Sequence, residues 1–295
     1  MRHIFAVLSM LAVTAIAAIA QPCPPLTESQ QLAIEGFLKT WYQIPNEQSF
    51  ALIDSTTVDS ACYRKLVFRP SMPAPLLTLY LTPDGSHLVG SLMDLAVDPA
   101  VARRKKQNEL HQLLTSGALL TTGSTFAPLK MVVFSDFQCP YCKRFAGLVN
   151  ELAPEERSSL QITYRQLPLS IHPWARDAAA LGACVAIQNQ SAFWKLHDYL
   201  FSEQQRLSNE NVKDNALAFL SQTKEVDVAN VSACLTSKSY EEYLSRDENL
   251  AADLGIRSTP TVFLNGQAIR VTSLQDLRAA MHAATDNVRE ALTHN

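Results

Sequence analysis

The chain has 295 residues, which at roughly 150 residues per domain suggests two domains and is ample for a sizeable core. Hydrophobic residues make up 47% and charged residues 18%, an ordinary globular balance that excludes intrinsic disorder, collagen and coiled coil. The 25 Lys and Arg against 28 Asp and Glu leave a net charge of −3, so nothing draws the chain to nucleic acid or to an anionic membrane.

Met1-Arg2-His3 is a short basic start, the stretch 4–19 is apolar apart from Ser9 and Thr14, and Ala18-Ile19-Ala20 supplies the small residues that a signal peptidase reads. The pattern predicts residues 1–20 as a cleaved signal peptide. An uncleaved anchor is the alternative, and Pro22, Pro24 and Pro25 argue against it by breaking any continuing helix. The mature chain is then expected in an exported, oxidising space.

A small α+β domain is expected over 21–98. Thr27 and Gln30 form a capping box ahead of Ile34, Phe37, Leu38 and Trp41, spaced as on one helical face. Strands follow at 64–68 and 76–81, then a Pro83-Asp84-Gly85 turn and a strand at 87–89. Asp98 with Pro99 starts a helix that runs to Leu114 and stops at Gly117; with the polar joint Thr121 to Thr125 it makes a linker over 99–124. Its basic run, Arg103-Arg104-Lys105-Lys106, reads as a solvated face rather than a nucleic-acid patch.

The second domain is expected over 125–295. Met131-Val132-Val133-Phe134 is the core of a buried strand over 129–135, residues 143–152 have helical spacing, and Cys139-Pro140-Tyr141-Cys142 lies between them. Cys139 therefore sits where a strand turns into a helix, whose unpaired N–H groups and dipole favour a thiolate, the species that attacks disulfides. Cys142, one turn on, can close a small reducible ring. Zinc would need a second ligand pair at finger spacing and a c-type haem would need His at 143, which is Lys. A purely structural bridge remains open, although so short a loop removes little unfolded-state entropy. No metal is expected, and no cofactor beyond the redox-active cysteine pair.

Farther along, 173–187, 192–201, 212–220 and 227–235 each read as helical, a cap rather than more sheet. A helical stretch over 240–254 ends at Gly255; Pro260 then opens a strand over 261–264, an Asn265-Gly266 turn leads into 267–271, and Ser273 with Asp276 begins a helix over 274–284. Pro260 stands where a cis bond could be held, yet the residues alone favour an ordinary trans proline at a strand edge.

Together these features resemble the thioredoxin fold of the DsbA-like thiol:disulfide oxidoreductases, over roughly residues 125–284. Phe134-Ser135-Asp136-Phe137-Gln138-Cys139-Pro140-Tyr141-Cys142 looks like that family's active-site segment, and Leu254-Gly255-Ile256-Arg257-Ser258-Thr259-Pro260-Thr261 looks like its cis-proline segment. The resemblance implies an α/β fold with a helical insertion over about 167–253, preceded by the small α+β domain. It implies Cys139 as nucleophile and Cys142 as resolving thiol, a cis Pro260 facing Cys139, and substrate contacts from Pro140, Tyr141, Thr259 and Pro260. It also implies a structural bridge between Cys184 and Cys234, and the domain division then pairs Cys23 with Cys62. One departure concerns position 133: some relatives place a buried acid there, this chain has Val133, and proton handling stays unassigned. Asp136 is read as solvated, His172-Pro173-Trp174 is left outside the site, and His197 is read as structural.

The layout of the first domain is similar to that of DsbC and DsbG, where it dimerises. The resemblance thus implies a periplasmic enzyme that forms disulfides in unfolded or partly oxidised exported proteins and meets a membrane redox partner. A homodimeric disulfide isomerase or reductase is the second reading, and a peptide-binding chaperone with an incidental CPYC the third.

Overall fold

The structure is a computed structural model that describes residues 23–42, 48–58, 61–71, 75–92 and 98–293. The predicted signal peptide lies outside them. The chain divides into two compact units: one holds the described residues up to Phe68 together with Leu77–Leu92, the other Arg69–Leu76 and all that is described from residue 98 on. No helix among the described residues is long and apolar enough to cross a membrane.

In the first unit α1 (Glu28–Trp41) begins at Thr27, whose side chain accepts from the Gln30 N–H while the Gln30 side chain accepts from the Thr27 N–H. The helix packs on a four-stranded sheet in the order β1 (Phe50–Thr57), β2 (Arg64–Pro70), β3 (Leu77–Leu81), β4 (Leu88–Val89). Only Ile34 and Leu38 of the predicted face reach that core. Phe37 and Trp41 stay 54% and 69% exposed and stack on each other, centroids 5.7 Å apart, so the buried seam is narrower than the apolar stripe. β1 has no counterpart in the sequence reading, because its FALIDSTT string keeps no clean alternation. Cys23 and Cys62 are joined by a disulfide, Cα atoms 5.2 Å apart.

The second unit starts with α2 (Pro99–Thr115), capped by Asp98 on the Ala100 N–H. Then come β5 (Leu120–Thr122), β6 (Leu129–Ser135), α3 (Pro140–Asn150), α4 (Pro154–Ser158) and β7 (Leu160–Gln166). The helical insertion is α5 (Ala175–Gln188), α6 (Gln190–Ser202), α7 (Val212–Thr223) and α8 (Val228–Ser237), and Cys184 on α5 is bridged to Cys234 on α8. The chain closes with α9 (Glu241–Asp253), β8 (Thr261–Leu264), β9 (Gln267–Ile269) and α10 (Leu274–Thr293).

These strands form one sheet, ordered β5-β7-β6-β8-β9. β6 runs parallel to β7 from Leu129↔Leu160 to Ser135↔Gln166 and antiparallel to β8 from Met131↔Leu264 to Phe134↔Thr261. As the central strand it is covered on both faces, which is why it reads as an unbroken apolar run. Met131 and Val133 face Phe145 and Leu148 of α3 and Leu277 of α10, whereas Val132 and Phe134 face Leu114 of α2 and Ala251 of α9. The α/β class and the helical insertion follow the sequence expectation.

Two elements correct it. Thr121 and Thr122 are not a polar joint but part of β5, paired antiparallel with Thr163 and Ile162, and Gly123 after them holds a φ of +89° where a Cβ would strike the Leu160 carbonyl. β7 was not anticipated at all: Gln161, Thr163, Arg165 and Gln166 interrupt its apolar pattern, yet Thr163, Arg165 and Gln166 are buried.

Candidate active site

β6 delivers the chain to the motif. After Ser135 a turn closed by the Cys139 N–H on the Asp136 carbonyl, 3.1 Å, leads into α3, with Cys139 as its N-cap and Pro140 at the first helical position, where a missing N–H costs nothing. Both Cys139 and Cys142 are buried free thiols, and Tyr141 between them is 69% exposed. Facing them is the segment that opens β8: the Thr259–Pro260 bond is cis, and the Cys139 Sγ lies 3.3 Å from the Thr259 carbonyl oxygen, to which its protonated form donates. The two cysteines, Thr259 and Pro260, 120 residues apart in sequence, thus share one site. Beside it runs a groove of about 360 Å³ lined by Tyr141, Arg144, Phe145, Thr259, Pro260 and Ile269, among others.

The two sulfurs differ in ionisation. The hydrogen bond from Cys142 draws the Cys139 thiol down to about 5, the side chain of Thr259 and the backbone N–H groups of Cys142 and Tyr141 at the helix start add to this, and burial opposes it. Burial pushes the Cys142 thiol far above the ordinary thiol range, and its bond to Cys139 reinforces that, while the Ser135 side chain and the Asp136 N–H act against it. The Asp136 N–H lies 3.4 Å from the Cys142 Sγ. One sulfur is therefore a thiolate at neutral pH and the other a thiol, the asymmetry that lets the first attack and the second resolve.

Asp136 is buried rather than solvated. Its carboxylate accepts from the Gln138 N–H at 2.7 Å and the Leu169 N–H at 2.8 Å, and it pairs with His172 Nδ1 at 2.7 Å. Burial with three partners is affordable where solvation by water is not, because the fixed donors replace water's hydrogen bonds. The first contact is an Asx turn, a local signal available in sequence; the other two cross more than thirty residues and leave none. His172-Pro173-Trp174 accordingly frames the site from behind, with the Trp174 N–H donating to the Gln138 side chain at 2.8 Å. Gln204, which sequence reasoning did not single out, donates to the carbonyls of Phe137 and Cys139 at 2.7 and 3.1 Å. His197 is buried in an aromatic cluster with Phe137, Tyr164, Trp194 and Phe201.

A strand, a CxxC at a helix start and a cis proline across from it define a thiol–disulfide oxidoreductase of the thioredoxin class. The chain belongs to the thioredoxin family: the family model of that description matches residues 115–283. It is 28% identical over 169 residues to a probable disulfide bond formation protein D of Bacillus cereus, covering 56% of this chain and 76% of that protein. It is also 31% identical over 146 residues to a Na(+)/H(+) antiporter, NhaA 3, of Salinispora tropica, where the match covers 49% of this chain but only 21% of the antiporter. Among solved structures, the thiol-disulfide exchange protein alpha-DsbA2 from Wolbachia pipientis superposes with a TM-score of 0.52 at 16% identity, over 65% of this chain and 99% of that one. At that identity the likeness concerns fold.

Proposed function

We propose that the chain is an exported thiol oxidase that passes a Cys139–Cys142 disulfide to dithiols of unfolded or partly oxidised proteins. The observation that carries this is the placement of Cys139 at the N-cap of α3, across from the cis Thr259–Pro260 bond: the neighbouring Cys142 and the helix-start N–H groups lower its thiol, which favours the reduced enzyme, so the disulfide form tends to give its bond away. In the first step a client thiolate attacks the Cys139 sulfur, forming a mixed disulfide and releasing Cys142; in the second, the client's other thiolate attacks its own sulfur in that bond and releases the Cys139 thiolate. The groove beside Pro260 offers an extended client segment its place, with Pro140, Tyr141 and Thr259 around it. The Bacillus cereus relative's name supports the same direction. Residues 1–20 serve as the export signal to the periplasm, Cys184–Cys234 and Cys23–Cys62 as structural bridges, and a membrane redox partner reoxidises the pair; no further cofactor is needed.

The direct test mixes the oxidised full chain with a dithiol peptide under anaerobic conditions. Stoichiometric peptide disulfide with loss of the Cys139–Cys142 bond is expected, abolished in Cys139→Ser. An inert oxidised chain whose reduced form nonetheless reshuffles scrambled disulfides would replace this reading with the second, a dimeric isomerase, which the exposed Phe37–Trp41 pair on α1 favours.

A further inference from the structure

The groove beside the cis proline is apolar along its floor and cationic along its rim. α3 presents Tyr141, Arg144, Phe145 and Leu148 to it, spaced i, i+3, i+4 and i+7 as on one helical face. On the strand side Val262 pairs with Ile269, and the same antiparallel register, continued by one residue, sets Arg270 level with Thr261, the residue after Pro260. Phe145, Leu148 and Val262 are buried, whereas Tyr141, Arg144 and Arg270 stand exposed around them. Among the described residues no carboxylate lines this wall.

Neither arginine is spent elsewhere: among the described residues Arg144 and Arg270 have no ion-pair or hydrogen-bond partner. The charged groups next to the groove are already held. Lys143 donates to the Ser202 carbonyl at 3.3 Å, and one oxygen of the Asp276 carboxylate accepts from the Thr272 and Ser273 N–H groups at 2.9 and 3.0 Å and from the Thr272 hydroxyl at 2.6 Å. Two uncompensated guanidinium groups over an apolar floor make the groove positive, although the chain as a whole carries −3. The planar fork of arginine matches a carboxylate in two parallel hydrogen bonds, so an acidic side chain is the complement of this rim.

Resting on the thiol-oxidase reading, we propose that Arg144 and Arg270 are specificity-determining residues that select clients carrying an acidic side chain two or three residues from the reacting cysteine. Arg144 lies five residues beyond Cys139, ~7.5 Å along the helix at ~1.5 Å per residue, and an extended client covers that distance in two to three residues at ~3.3 Å each. With the client sulfur at Cys139, an apolar neighbour settles over Phe145 and the carboxylate meets the guanidinium groups. The arginines act on encounter and binding rather than on thiol exchange itself. A client with lysine at the same place meets like charge and is disfavoured.

Three dithiol peptides of one sequence, with Glu, Gln or Lys three residues from the first cysteine, test this when mixed with the oxidised full chain under anaerobic conditions. Each rate is divided by the same peptide's rate with hydroxyethyl disulfide, so that differences in peptide thiolate cancel. At about 20 mM salt the wild type is expected to oxidise the Glu peptide about ten-fold faster than the Gln peptide, with the Lys peptide slower still. At about 0.5 M salt, where charges are screened within a few ångströms, the preference should shrink to about two-fold. Arg144→Gln and Arg270→Gln should each cut the Glu-to-Gln ratio about three-fold, and Arg144→Glu with Arg270→Glu should turn the preference toward the Lys peptide. Both side chains are exposed, so the substitutions leave the core intact, and a ratio taken within one protein is unaffected by a change in Cys139 reactivity. Equal normalised rates for the three peptides, or a preference that the variants leave untouched, would overturn the proposal. A chain that oxidises none of them would sink the oxidase reading instead, and the disulfide forms of the same peptides with the reduced chain would then decide the charge preference.

Discussion

Cys139 and Cys142 are separated by one helical turn and by opposite electrostatic fates. Because the folded value of Cys139, about 5, lies below its reference of 9.0, its thiolate adds stability to the reduced chain that is complete above the reference value and is lost as pH falls through 5. Cys142 has the opposite sign: its preference for the thiol counts fully below 9.0 and turns against the fold as pH rises beyond it. The melting temperature of the reduced chain, taken relative to the oxidised chain, should therefore fall between pH 8 and pH 4 and decline again above pH 9, with the acid limb absent in Cys139→Ser. Iodoacetamide at pH 6 should mark Cys139 in the reduced protein; preferential labelling of Cys142 would reverse the assigned roles. Asp136 gives a second residue-level prediction. Asp136→Ala leaves two half-buried N–H groups and His172 without their acceptor, and at the low end of about 1–3 kcal/mol for each unsatisfied group the urea-unfolding free energy should drop by about 2 kcal/mol. His172→Ala removes one partner only and should cost visibly less.

At the scale of elements, β7 shows how a buried charge hides a strand. Arg165 is fully buried: its guanidinium donates to the Leu114 and Ser116 carbonyls at 3.0 and 2.7 Å and to Asp247 at 2.6 Å, while the other Asp247 oxygen accepts from the Gln166 N–H. One side chain thereby ties the end of α2 to α9 and closes the carbonyls that a helix terminus leaves open. Burial holds the Asp247 carboxyl above its ordinary range even beside Arg165. Removing one partner of a buried pair strands the other, so Asp247→Ala should destabilise by about 3–5 kcal/mol, whereas Arg165→Met with Asp247→Leu should recover part of that loss. Equal destabilisation by the single and double variants, in urea titrations, would show that the carbonyl contacts rather than the ion pair hold the element. The Asn265-Gly266 turn between β8 and β9 is legible by contrast: both residues have positive φ, 47° and 75°, and a Cβ on Gly266 would meet the Gln107 carbonyl at 1.9 Å.

For the whole molecule, the exposed side of α1 bears on self-association. Leu32, Phe37, Trp41 and Tyr42 are all exposed on or beside α1, more aromatic surface than one helix of a monomer ordinarily shows. If the first unit dimerises through this helix, Trp41→Glu should halve the mass seen by light scattering at micromolar concentration and leave dithiol oxidation by Cys139 unchanged. A wild-type chain that is already monomeric would remove the dimeric reading and with it the isomerase alternative. The net charge of −3 gives no strong self-repulsion to oppose such contact.

Local signals carried much of the site. Strand, CPYC and helix start lie within fourteen residues, 129–142, and the glycine-ended helix, Pro260 and the Asn-Gly turn within another short stretch, because turn chemistry, capping and hydrophobic period all act between near neighbours. What tertiary structure alone decided is everything that depends on burial and on partners distant in sequence. Asp136 looks like a surface turn residue until Leu169 and His172 arrive to satisfy it. Arg165 looks like a break in the apolar pattern until Leu114, Ser116 and Asp247 receive it. Thr121 and Thr122 look like a tether until β7 pairs with them. The depressed Cys139 and raised Cys142 thiols belong to the same set. A CxxC at a helix start predicts the direction of the first, but the size of the split comes from a low-dielectric pocket that only the assembled fold, with Ser135 and Thr259 closing around the sulfurs, can provide.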